Sequence, residues 1–76
     1  MKNRIRVRLR ECLDRKERQT GARPTYRELA ARSGLSYDAV KAIASRPSYN
    51  ASLRAVERLA DALGVSAVEL VEFTSR

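Results

Sequence analysis

Apolar residues recur along the chain at intervals that predict one short extended segment followed by five helices. At the start, Arg4, Arg6, Arg8 and Arg10 alternate with Ile5, Val7 and Leu9, which is the period of a strand. Yet Ile5, Leu9, Cys12 and Leu13 also share one helical face, and Glu11 to Arg18 is rich in helix formers with no breaker. The pattern therefore divides into an extended piece over Asn3–Val7 and a helix from about Arg8 to Arg18. Gly21 suits the end of that helix, and Pro24 prevents it from running on.

The next stretch, TYRELAARSGLSYDAVKAIAS from Thr25 to Ser45, reads as two short helices joined at a sharp turn. Thr25 and Glu28 have the spacing of a capping box, in which the hydroxyl and the carboxylate each accept the other residue's backbone N–H. Leu29 faces inward, and Ala30 is small enough for a second helix to cross closely. Gly34 ends the first helix where a left-handed residue is needed. Leu35 fills the corner, Ser36 caps the second helix, and Val40 and Ile43 give that helix its inward stripe.

Arg46 to Ala51 forms a second loop, marked by Pro47 and Asn50. Ser52 then caps a fourth helix whose Leu53, Val56, Leu59, Ala60 and Leu63 make a continuous apolar face, with Gly64 as its stop. Ser66 and Glu69 repeat the capping-box spacing and open a fifth helix, AVELVEF, carrying Val68, Leu70 and Val71.

Composition narrows the chemistry. Seventy-six residues make one domain with a single small core, spanning 1–76. Sixteen Lys and Arg against nine Asp and Glu, net +7, point to a polyanionic partner. The charge is uneven, with eleven basic and five acidic residues in 1–38 but five and four in 39–76. No apolar run reaches the roughly 18 residues of a membrane span. Arginines interrupt the N-terminal aliphatics, so a signal-peptide core is not expected and a cytoplasmic location is. With one cysteine and no histidine, no internal disulfide and no metal site are expected. Cys12 is read as a core residue, and no catalytic residues, cofactor or small-molecule ligand are assigned. The arginine row is read first as a solvated edge that discourages strand aggregation, and second as a phosphate-facing strip.

Ala30, Gly34, Val40 and Ile43 stand at the spacing of a helix-turn-helix, with residues 25–45 as the motif proper. A plain αα-hairpin would use the same glycine and small residue, so the four positions alone do not decide. Together, TYRELAARSGLSYDAV and SLRAVERLADALGVSAVELVEF do, because both resemble a Cro/CI-type (XRE-like) helix-turn-helix domain at the right separation. The similarity covers about residues 8–73. It implies an all-α, compact five-helix, lambda-repressor-like fold, with room for a short N-terminal/C-terminal strand pair. It also implies a recognition helix over about 36–45 lying in the major groove of double-stranded DNA.

On that resemblance the base-reading positions are Ser36, Tyr37, Asp38, Lys41, Ala42 and Ser45. The side chains at 37, 38, 41 and 42 share the face opposite Val40 and Ile43. Lys41 suits guanine, Asp38 suits cytosine or simply the helix dipole, and Ala42 or the Tyr37 ring suits a thymine methyl. Phosphate contacts are expected from Thr25, Tyr26 and Arg27 on one side, and from Arg46, Tyr49, Asn50, Ser52 and Arg54 on the other. The family usually places Gln where this chain has Tyr26, which offers one donor instead of an amide clamp.

The resemblance implies a sequence-specific transcriptional regulator acting on nucleoid DNA, in the first place a repressor. An antitoxin-type autoregulator and a protein-interaction module that reuses the fold are the alternatives. An enzyme is not expected. A homodimer is, through helix 5 and the tail that holds Val65, Val68, Val71 and Phe73. The competing use of that tail pairs Glu72–Ser75 with Asn3–Val7 of the same chain, which would hide Phe73.

Overall fold

The computed structural model describes residues 2–46 and 49–75. Pro47, the expected marker of the second loop, lies outside them. A strand, β1 (Asn3–Val7), precedes five helices: α1 (Leu9–Thr20), α2 (Tyr26–Ser33), α3 (Tyr37–Ser45), α4 (Leu53–Leu63) and α5 (Ala67–Leu70). A final strand, β2 (Val71–Ser75), pairs antiparallel with β1. The mostly helical architecture with a terminal strand pair is as expected.

Leu9, Leu13, Leu29, Val40, Ile43, Leu59 and Leu70 are almost wholly buried and come from every helix. α4 lies against α2 and α5, and α2 crosses α3. Cys12 is a core residue as expected, with its thiol donating to the Glu69 carbonyl at 3.4 Å.

Two boundaries and one face differ from the pattern-based expectation. α1 continues two residues past Arg18, to Thr20. There the Thr20 hydroxyl donates to the Lys16 carbonyl (2.8 Å), and left-handed Gly21 donates its N–H to Glu17. α5 stops at Leu70, so Val71 and Phe73 belong to a strand and not to a helix. The physical cause is the partner strand. Arg8 N–H donates to the Leu70 carbonyl at 2.7 Å, which diverts the β-branched and aromatic residues that follow into a ladder. On the fourth helix only Val56, Leu59, Ala60 and Leu63 of the expected apolar face are buried, together with Ala55, whereas Leu53 is 88% exposed. Leu53 is the first helical residue, where the core has already curved away.

The ribbon's register pairs Val7 with Val71 and Ile5 with Phe73 on one face, and Arg6 with Glu72 and Arg4 with Thr74 on the other. The expected alternative pairing of the tail with the N-terminal segment is therefore present. Its expected consequence is not, because Phe73 remains 68% exposed. Two of the four arginines in the row are engaged with the chain itself. Arg6 donates to Glu72 at 2.6 Å, and Arg8 donates to the Glu69 carbonyl.

That cross-strand hydrogen bond, with the attraction of the same guanidinium, holds the Glu72 carboxyl below its usual range. A depressed carboxyl adds stability that is complete above its unfolded value, near 4.5, and lost as pH falls through its folded value. Glu72→Gln should accordingly flatten the acid limb of a plot of melting temperature against pH. Equal slopes below pH 4.5 for both proteins would show that the pair does not link ribbon closure to pH.

Candidate nucleic-acid interface

Local chemistry sets the angle between α2 and α3. Thr25 Oγ1 accepts Glu28 N–H at 3.1 Å, and Glu28 returns the bond to Thr25 N–H at 2.9 Å, which starts α2 with a complete capping box. Those same bonds hold the Glu28 carboxyl below its usual range. Gly34 ends the helix at φ +76, donating its N–H to Ala30. Ser33, buried at the corner, accepts Leu35 N–H at 3.3 Å. Leu35 packs against the core, and two residues of turn suffice before Ser36 accepts Ala39 N–H to open α3.

α3 is thereby anchored by Val40, Ile43 and Ala44, all buried, and its opposite face is free. Ser36, Tyr37, Asp38, Lys41 and Ser45 are exposed, as expected of base-reading positions, while Ala42 is half-buried and offers only part of its methyl group. The structure thus places Tyr37, Asp38, Lys41, Ala42 and Ser45 on α3, with Ser36 as its N-cap.

The candidate phosphate contacts flank this face. Thr25 and Arg27 lie at the α2 N-terminus, with Arg27 stacked over the Tyr37 ring at 4.7 Å. Arg46 follows α3 directly and stacks over Tyr49 at 5.6 Å. Tyr49 N–H donates to Arg46, Ala51 N–H donates to Tyr49, and exposed Asn50 lies between them. Ser52 accepts Ala55 N–H at 3.0 Å and caps α4, on whose first turn Arg54 is exposed. Tyr26 differs from the others. It is half-buried and packs against the core, so its ring serves α2 before it serves a ligand.

The basic side chains of this surface are not held by carboxylates of the described residues. Among the described residues Arg6, Arg15, Arg23 and Arg32 are held in ion pairs, for example Arg32 with Glu28 at 3.7 Å. Arg27, Lys41, Arg46 and Arg54 enter no ion pair among the described residues. The only acidic side chain on α3 is Asp38, at the second helical position where it complements the helix dipole.

Two features escaped the residue pattern. The stacking of Arg27 on Tyr37 joins positions that sequence assigns to separate roles, and no spacing rule announces a contact between helices. Arg58 has its Nη1 3.5 Å from where a Cβ on Gly34 would stand, over the corner itself. Its place one turn after Arg54 is the signal that would have found it.

No group of three or more His, Cys, Asp or Glu side chains among the described residues could hold a metal ion. Among the described residues no helix is long and apolar enough to cross a membrane. In comparison with known proteins, residues 25–70 match the model of a helix-turn-helix family, more than half of the chain. No curated protein and no solved structure matches.

Proposed function

The chain belongs to the Cro/CI-type helix-turn-helix family of DNA-binding domains, and from that premise we propose that it is a sequence-specific transcriptional repressor acting as a homodimer on nucleoid DNA in the cytoplasm. One observation carries the reading. The polar face of α3 carries or adjoins four cations, Arg27, Lys41, Arg46 and Arg54, that enter no ion pair among the described residues, whereas Arg6, Arg15, Arg23 and Arg32 are paired to carboxylates.

In this reading α3 lies in the major groove, and Lys41 donates to guanine O6 or N7. Tyr37, with its ring held by Arg27, packs on a neighbouring base edge or sugar. Ser36, Asp38, Ala42 and Ser45 complete the reading face. Thr25, Tyr26 and Arg27 grip one backbone. Arg46, Tyr49, Asn50, Ser52 and Arg54 grip the other, with the free N–H groups of the α4 N-terminus adding an anion site. Two domains on half-sites about one turn apart explain why so small a reading face is enough.

Selection of bound duplexes from a random pool, followed by a motif search, tests this directly. A palindromic consensus is expected. Lys41→Ala should relax preference at one base pair by about 1–3 kcal/mol, and Arg46→Ala should weaken all sequences alike. An unchanged consensus for Lys41→Ala would remove α3's exposed face from the reading role.

A further inference from the structure

Each end of α3 carries the same pairing of a cation with a ring. At the N-terminal end Arg27, from the first turn of α2, has its guanidinium over the Tyr37 ring, 4.7 Å from the centroid. At the C-terminal end Arg46 lies over Tyr49 at 5.6 Å, and the Tyr49 N–H donates to the Arg46 carbonyl at 2.8 Å, which keeps ring and cation together. Neither ring fills the core, since Tyr37 is 37% and Tyr49 38% exposed. Neither arginine enters an ion pair among the described residues. That combination matters chemically. An arginine held by a carboxylate gives up its N–H edge, whereas one stacked on a ring is held by its face and keeps its donors outward. A phosphate accepts at that edge, often with two parallel bonds.

We propose that Tyr37 and Tyr49 are positioning residues, each holding its arginine by the face so that the guanidinium meets the DNA backbone already ordered. The proposal rests on the DNA-binding reading above and gives the two rings a role which that reading did not contain. A loose arginine loses much of its rotamer freedom when it grips a phosphate, and a side chain ordered beforehand loses less. The placement fits that use. Arg27 precedes α3 and Arg46 follows it, so the two candidate phosphate cations that bracket the reading helix are the two that are stacked. Because the ring face does the holding, the phenol oxygen is dispensable. Exposed Arg54, on the same side as Arg46, is stacked on neither ring and serves as the internal control.

Fluorescence anisotropy with a random-sequence duplex reads the phosphate grip without needing an operator. Tyr37→Leu and Tyr49→Leu should each weaken binding by about two- to fivefold, while Tyr37→Phe and Tyr49→Phe, which keep the ring face, should bind as the wild type does. The log–log salt slope should stay at the wild-type value in all four, because each arginine still reaches its phosphate. In an Arg27→Ala background Tyr37→Leu should cost little further, and so should Tyr49→Leu in Arg46→Ala, whereas Tyr49→Leu and Arg54→Ala should add in full. Additive losses within the two stacked pairs would overturn the proposal. So would phenylalanine variants as weak as the leucines, which would give the contact to the hydroxyls, and that comparison decides even where a leucine variant folds poorly. A wild type whose binding ignores salt would sink the DNA-binding reading itself. Steeply salt-dependent binding that the leucine variants leave undiminished would sink only the positioning role.

Discussion

Raising salt from 50 to 200 mM should weaken binding of one chain to a half-site by roughly 10²-fold, and of a dimer to a palindrome by roughly 10⁴-fold. The size follows from which cations are free. Counterion release scales with the number of phosphates neutralised, at a log–log slope of about −0.9 for each. The net charge of +7 is the wrong number to use, because it averages over arginines already committed to carboxylates. Arg6 faces Glu72, Arg23 bonds to Asp14, Arg15 faces Glu69 and Arg32 faces Glu28. Of the cations that enter no ion pair among the described residues, Arg27, Arg46 and Arg54 flank α3 and Lys41 lies on it, where its charge offsets phosphate while it meets a base, hence a slope of about −3.6 per chain. Arg27→Ala and Arg46→Ala should each reduce that slope by about one, whereas Arg32→Ala should leave it unchanged. Filter binding or fluorescence anisotropy across a salt series measures all three. A slope near zero would sink the DNA-binding reading, and a lower slope for Arg32→Ala would show that paired arginines reach phosphate as well.

That distinction between paired and free arginines marks the limit of what the residue string could reveal. Thr25 with Glu28, Ser36, Ser52 and Ser66 with Glu69 announced four of the five helix starts, and Gly34 and Gly64 two of the stops, because caps act over three or four residues. Spacing also placed the candidate reading face, since the buried Val40 and Ile43 leave no freedom for Tyr37, Asp38 and Lys41. What sequence could not supply depends on residues far apart. The end of α5 at Leu70 is dictated by β1, more than sixty positions earlier, and AVELVEF by itself is a sound helix. Leu53 fits the periodicity of α4 perfectly and is nevertheless bare, because period identifies a face and not how far the core extends along it. Arg23's bond to Asp14 and Arg27's stacking on Tyr37 likewise belong to tertiary geometry.

Gly34→Val should lower the melting temperature by about 10–20 °C, an effect of about 2–3 kcal/mol in a domain of this size. The cause is backbone and not space. A Cβ at residue 34 would meet only the end of the flexible Arg58 side chain, at an ordinary contact distance of 3.5 Å. The conformation is the obstacle, since φ +76 is left-handed, and a β-branched residue resists it most. Escape from that region would break the Gly34 N–H bond to Ala30 and the Leu35 N–H bond to Ser33, and Leu35 would leave the corner it fills. The order wild type, Gly34→Asn, Gly34→Ala, Gly34→Val should therefore appear in thermal denaturation, with asparagine mildest because it tolerates the left-handed region. Gly21→Val is the matching control. It has the same sign of φ (+78) and open space around it, but it terminates α1 and does not join α2 to α3. Both valines should destabilise, yet only Gly34→Val should also reduce DNA affinity at temperatures where each protein remains folded, because only that turn aims α3. Equal DNA affinity for the two folded variants would mean that the corner holds the domain together without setting the angle of its reading helix.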